Sequence, residues 1–127
     1  MSKQIQRTVV AEPDVTILKA RGRITSKDIL QASDDFYAHT PTKQLLWDFS
    51  DADLSAVSSD DLKTIASYTK QYGHLRPNGK TALYVSGELS YGLSRQYTTL
   101  AELENHSIRF ASFRAYDEAM EWLLNDE

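Results

Sequence analysis

Apolar and polar positions alternate from Gln4 to Ala11, with Ile5 and Val9 set against Gln6 and Thr8, and this period of two predicts a strand. Glu12-Pro13-Asp14 breaks the run as a turn, because proline fixes φ and an aspartate side chain bonds its own backbone. Val15 to Ala20 returns as the second strand of a hairpin. Beyond Gly22 the period lengthens: Ile29, Leu30, Ser33 and the Phe36-Tyr37 pair form a helical stripe running to about Ala38. Thr25, with Asp28 three positions on, supplies that helix with a cap and a reciprocal acid, and Thr40-Pro41-Thr42 ends it.

Gln44 to Phe49 loses the alternation at Leu45-Leu46-Trp47, the pattern of a central strand covered on both faces. Ser58 or Ser59 caps a second helix over Asp60 to Tyr72, with Leu62, Ile65, Ala66 and Thr69 on one face and two acids toward the positive end of its dipole. Gly73 stops it, and Arg76-Pro77-Asn78-Gly79 reads as a turn. Lys80 to Val85 is a short strand and Glu88 to Asn105 a long helix carrying Leu93, Tyr97, Leu100 and Ala101. Ile108 to Phe113 alternates as a strand, and Asp117 to Leu124 closes the chain as a helix with Ala119, Met120, Trp122 and Leu123 for the core. The order β-β-α-β-α-β-α-β-α predicts an α/β fold built on a mixed sheet, largely parallel, with the hairpin as an antiparallel edge. Residues 1–127 contain no repeat or linker and read as a single domain.

Composition narrows the function classes. Apolar residues make up 41% and charged residues 25%, ordinary values for a globular protein, and a net charge of −4 lacks the basic footprint that nucleic acid requires. Without cysteine there are no disulfides, no thiolate catalysis and no cysteine-ligated metal. Met1-Ser2-Lys3-Gln4 is not followed by the apolar core of a signal peptide, and no run approaches the roughly 18 apolar residues of a membrane span, so cytoplasmic residence is expected.

Candidate chemistry gathers where the central strand runs out into a hydroxyl-rich loop. Asp48, Asp51, Asp53, Asp60 and Asp61 stand close together there, and ligands of open α/β sheets sit at the carboxyl ends of strands. Carboxylates suit a hard cation, but the loop lacks the glycine and glutamate of a calcium loop and any lysine at a phosphate-binding spacing. Helix-dipole pairing and solvation account for the acids, so neither metal nor cofactor is expected. Leu62 to Gly87 reverses the sign, carrying Lys63, Lys70, Arg76, Lys80 and His74 without one acid. Adjacent patches of opposite sign steer a charged partner or favour a homodimer, unless the lysines only solvate their helix. His39, His74 and His106 share no metal-binding spacing. Tyr91 and Arg95, at the start of the long helix, form a second candidate: backbone donors and a guanidinium suit an anion. Tyr84, Tyr91 and Tyr97 would line an apolar cleft beside them, although Tyr97 also has core spacing with Leu93 and Leu100.

Asp48 at a strand end, followed by a loop and by Ser58-Ser59 with Leu62 at a helix start, resembles the STAS superfamily, and within it the SpoIIAA-like (anti-anti-sigma factor-like) small bacterial proteins. The element order of nearly the whole chain shares the resemblance. In the anti-sigma antagonists an Asp-Ser-Ser/Thr-Gly-Leu segment opens this helix, and its first hydroxyl is the phosphorylation site, which the resemblance places at Ser58. Val57 stands in place of that aspartate and Asp60 in place of the glycine. Helix capping explains Ser58 and Ser59 equally, and Asp60 and Asp61 would repel a phosphate beside them. The resemblance implies a STAS-like sheet of about five strands with helices packed mainly on one face. It also implies a non-enzymatic cytoplasmic regulatory or protein-interaction module with an unidentified protein partner, using Asp48, Asp51, Asp53, Ser58 and Ser59. The alternatives are a small-ligand domain taking an anion, nucleotide or lipid at Tyr91 and Arg95, and a magnesium-dependent phosphoryl enzyme using Asp48, Asp51 and Asp53.

Overall fold

A computed structural model describes residues 4–10, 14–39, 41–104 and 107–125. The hairpin is β1 (Ile5–Val10) and β2 (Val15–Arg23), followed by α1 (Ser26–Ala38), β3 (Gln44–Asp53) and α2 (Ser59–Lys70). A 3-10 turn at Gly73–Leu75 leads into β4 (Lys80–Val85), α3 (Glu88–Glu104), β5 (Arg109–Phe113) and α4 (Tyr116–Leu124). The expected strand end at Ala11, the Glu12-Pro13 part of the turn, Thr40, Asn105 and His106 lie outside the described residues.

The strands lie side by side in chain order, β1-β2-β3-β4-β5, with β1 antiparallel to β2 and every later pair parallel. Crossovers between parallel strands are right-handed, and stepping always in the same direction puts each crossover helix on the same face. Accordingly α1, α2 and α3 cover one face, over a core that includes Leu18, Phe36, Leu45, Trp47, Phe49, Ile65, Leu83 and Tyr97. α4 has no strand to return to and packs on the opposite face, where Ala119 and Leu123 meet Val15, Leu46 and Ala82. Alternation along β3 therefore sends Leu45, Trp47 and Phe49 toward α1–α3 and Leu46 toward α4, which is why its apolar run has no polar face.

Two parts of this frame depart from expectation. β3 runs to Asp53 rather than Phe49, because β2 also continues, and Gly22 and Arg23 pair with Ala52 and Asp53. Ladder pairing outweighs the low strand propensity of aspartate, so Asp51 and Asp53 belong to a strand and not to a loop. The basic segment is also mostly internal. Arg76 is 2% exposed, and its guanidinium donates to the carbonyls of Thr42, Lys43 and Lys80, to Thr81 Oγ1 and to Tyr37 Oη. Lys80 is buried too, with Nζ donating to the carbonyls of Trp122 and Asn125 over the Trp122 ring. Lys63 and Lys70 remain on the surface, so the extended positive patch expected between Leu62 and Gly87 is reduced to those side chains and His74.

Candidate functional site

The carboxyl ends of β2 and β3 carry a polar cluster on the α4 side of the sheet. Val15 and Ile17 of β2 face that side, and a period of two continues to Lys19. Opposite it, the pairing moves from Lys19–Asp48 to Arg21–Asp51, two residues on β2 against three on β3. This bulge resets the alternation between Phe49 and Ala52, both turned to the α1–α3 core, and brings Asp48 and Asp51 to one cation. Lys19 Nζ lies 3.2 Å from Asp48 Oδ2 and 3.1 Å from Asp51 Oδ2. Ser50 Oγ donates to Asp48 Oδ1 at 2.6 Å, Ser50 N–H donates to the same oxygen, and Ser86 Oγ of the β4–α3 connection donates to the Ser50 carbonyl. Burial pulls the Lys19 ammonium down, but the bonds from Asp51 and Asp48 outweigh it and raise it above the ordinary lysine value.

The other acids and hydroxyls have separate work. Asp53 accepts from the Ser55 N–H at 2.9 Å, and the hydroxyl and N–H of Ser55 hold its carboxyl below the usual carboxylate value. Ser58 is the cap of α2: its Oγ accepts from Asp61 N–H while Ser58 N–H donates to Asp61 Oδ2, a reciprocal box. Ser59 is the first helical residue, with its Oγ 3.4 Å from Gln96 Oε1, so the start of α2 adjoins the third turn of α3. Asp48, Ser50 and Asp51 thus gather at Lys19 on the α4 face, whereas Ser58 and Ser59 open a helix on the other face. The two groups share one end of the sheet without forming one site. Among the described residues no group of three or more His, Cys, Asp or Glu side chains is arranged to hold a metal ion. Asp48 and Asp51 are both paired to Lys19, so a cation at these carboxylates would compete with its ammonium.

The expected tyrosine cleft does not form. Tyr97 is buried in the α1–α3 core, where burial pushes its phenol up to about 12. Tyr84 lies on the α4 side against Tyr116. Tyr91 and Arg95 do stand together: Arg95 Nη1 is 3.4 Å from Tyr91 Oη, and Arg114 stacks 4.0 Å over the Tyr91 ring while pairing with Glu88.

Sequence reading missed Lys19 and Leu89. Lys19 shows as a polar residue at an inward position of an apolar strand, a signal that acquires meaning only once β2 and β3 are paired in parallel. Leu89 is 65% exposed in the first turn of α3 and breaks the amphipathic pattern of that helix.

No family model matches the chain, and no curated protein matches it. Solved structures do match. One is an uncharacterized protein of the DUF3478 family with a SpoIIAA-like fold from Shewanella loihica PV-4, 19% identical over 94% of this chain and 91% of that one, with a TM-score of 0.60. The chain has a SpoIIAA-like fold. A second match is an anti-sigma factor antagonist from Mycobacterium paratuberculosis, 20% identical over 98% of both chains, also with a TM-score of 0.60. The SpoIIAA-like architecture explains the sequential strand order and the distribution of helices over the two faces. No described helix is long and apolar enough to cross a membrane.

Proposed function

We propose that residues 1–127 work as a single-domain, non-enzymatic regulatory module in the cytoplasm that binds a protein partner through the carboxyl end of its sheet. The docking surface consists of Asp53, Ser58, Ser59 and Asp60, joined by Leu89 and Gln96 from the first half of α3. Asp48 and Asp51, held by Lys19, lie at the same end of the sheet on its other face. The observation that carries this reading is how the polar groups are held. Ser58 and Asp61 satisfy each other at the start of α2, Ser59 meets Gln96 of α3, and the exposed Leu89 lies two turns before Gln96 on the same face of that helix. Fixed polar groups around an apolar anchor suit recognition of another protein. Likeness of fold to an anti-sigma factor antagonist supports the same class and makes an anti-sigma factor the first partner to test.

Affinity capture from the source organism, with wild-type protein against Leu89→Glu and Ser59→Tyr, tests the reading. Both substitutions keep the Ser58 cap. A protein retained by the wild type and bound at least roughly ten-fold more weakly by both variants is expected, with the three proteins melting alike. Capture of no partner, or a partner indifferent to both substitutions, contradicts it.

A further inference from the structure

β5 is an edge strand with an unusual neighbour. Its Arg109 N–H donates to the Gly79 carbonyl toward β4, so alternation turns the backbone groups of Phe110 and Ser112 outward. The Phe110 N–H is met by Glu102 Oε2 of α3 at 3.3 Å, a side-chain carboxylate standing where the carbonyl of a further strand would lie. α3 runs antiparallel beside this edge, with Glu102 at Phe110 and, at the other end, Tyr91 under Arg114. Between helix and strand lies a groove of about 300 Å³ lined by Tyr91, Arg95, Thr98, Thr99, Glu102 and Ser112 among others. Ser112 Oγ is buried against this groove and has no hydrogen-bond partner among the described residues. No residue of β5 is fully buried, so the edge is accessible along its length.

Charge is distributed along the groove in one direction. The end beside Phe110 carries the Glu102 carboxylate, and the end beside Ser112 carries Arg95, whose guanidinium rests on Tyr91. A chain pairing parallel to β5, as every later pair of this sheet does, would end beside Arg95. We propose that the α3–β5 groove docks the extended carboxyl terminus of a partner protein, which adds to β5 as a sixth, parallel strand and places its terminal carboxylate at Arg95. Main-chain bonds to Phe110 and Ser112 supply affinity. Glu102 yields the Phe110 N–H to the incoming strand and serves as the resting cover of the edge. This site is separate from the surface at the starts of α2 and α3.

A library of random peptides of about seven residues, displayed with free carboxyl ends, is the probe. Peptides enriched on the wild-type protein are then titrated into labelled protein while the amides of Phe110 and Ser112 are followed. The expected result is movement and slowed exchange of both amides, with binding weakened roughly ten-fold or more by amidation of the peptide and by Arg95→Gln. Glu102→Gln is expected to bind at least as well as the wild type. No enrichment over Arg95→Gln, or binding that leaves Phe110 and Ser112 unmoved or ignores amidation, overturns the proposal. None of these variants touches Leu89 or Ser59, so failure here is distinguishable from failure of the docking surface above.

Discussion

Arg76 is a buried cation whose neighbours are carbonyls, hydroxyls and the Phe36 ring, and it ties the entry of β3 to the entry of β4. Arg76→Met would leave the Thr42, Lys43 and Lys80 carbonyls without that donor, and a loss of about 3 kcal/mol or more in urea unfolding is expected. In the sequence this residue is indistinguishable from a solvated turn arginine, since Pro77-Asn78-Gly79 follows it and three of its five acceptors lie more than thirty positions away. Lys19 is the comparable case at the other end of the sheet. Its folded-state pKa is raised, so its contribution is complete below the ordinary lysine value of 10.5 and disappears as pH climbs through the raised value. Lys19→Met should therefore be less stable than the wild type at neutral pH by about 1 kcal/mol, with the gap closing as pH climbs beyond the ordinary lysine value. Tyr97 titrates in the same direction. Its contribution is intact below 10 and lost as pH approaches about 12, a loss that Tyr97→Phe should not show in unfolding midpoints measured across that interval.

Helix starts were the most legible elements, because capping is local chemistry. Thr25 with Asp28 and Ser58 with Asp61 both form reciprocal boxes, as a hydroxyl with an acid three residues on leads one to expect. Ser58→Ala should cost about 1 kcal/mol, read as a melting point lower by about 4 °C, whereas Ser58→Asp keeps an acceptor at the cap and should lose less. Strand ends were harder to read. The extension of β3 to Asp53 depends on Gly22 and Arg23 pairing with it, and the bulge that turns Asp48 and Asp51 to the same lysine is a property of two strands together. The turn before β4 shows a second non-local constraint. A Cβ on Gly79 would lie 2.6 Å from the Lys43 carbonyl oxygen, so Gly79→Ala should destabilise the protein although the position looks like a routine turn glycine.

Sheet composition and element order followed from hydrophobic periodicity, and the right-handed rule for crossovers accounts for three helices sharing one face. What periodicity could not convey is which polar groups meet across the sheet. The acidic stretch from Asp48 to Asp61 divides between a lysine-bound cluster on one face and a helix cap on the other, and the tyrosines Tyr84, Tyr91 and Tyr97 separate into three environments. The molecule that results has a SpoIIAA-like frame in which Asp48 and Asp51, toward the carboxyl end of β3, are tied to Lys19. The most direct test is amide hydrogen exchange of the protein with and without its captured partner. Protection of residues 53–62 and of the Leu89 and Gln96 amides, with Phe110 and Ser112 unchanged, is the predicted result; protection centred on α4, or a protein stabilised by nucleotide or magnesium and by no protein partner, would contradict it.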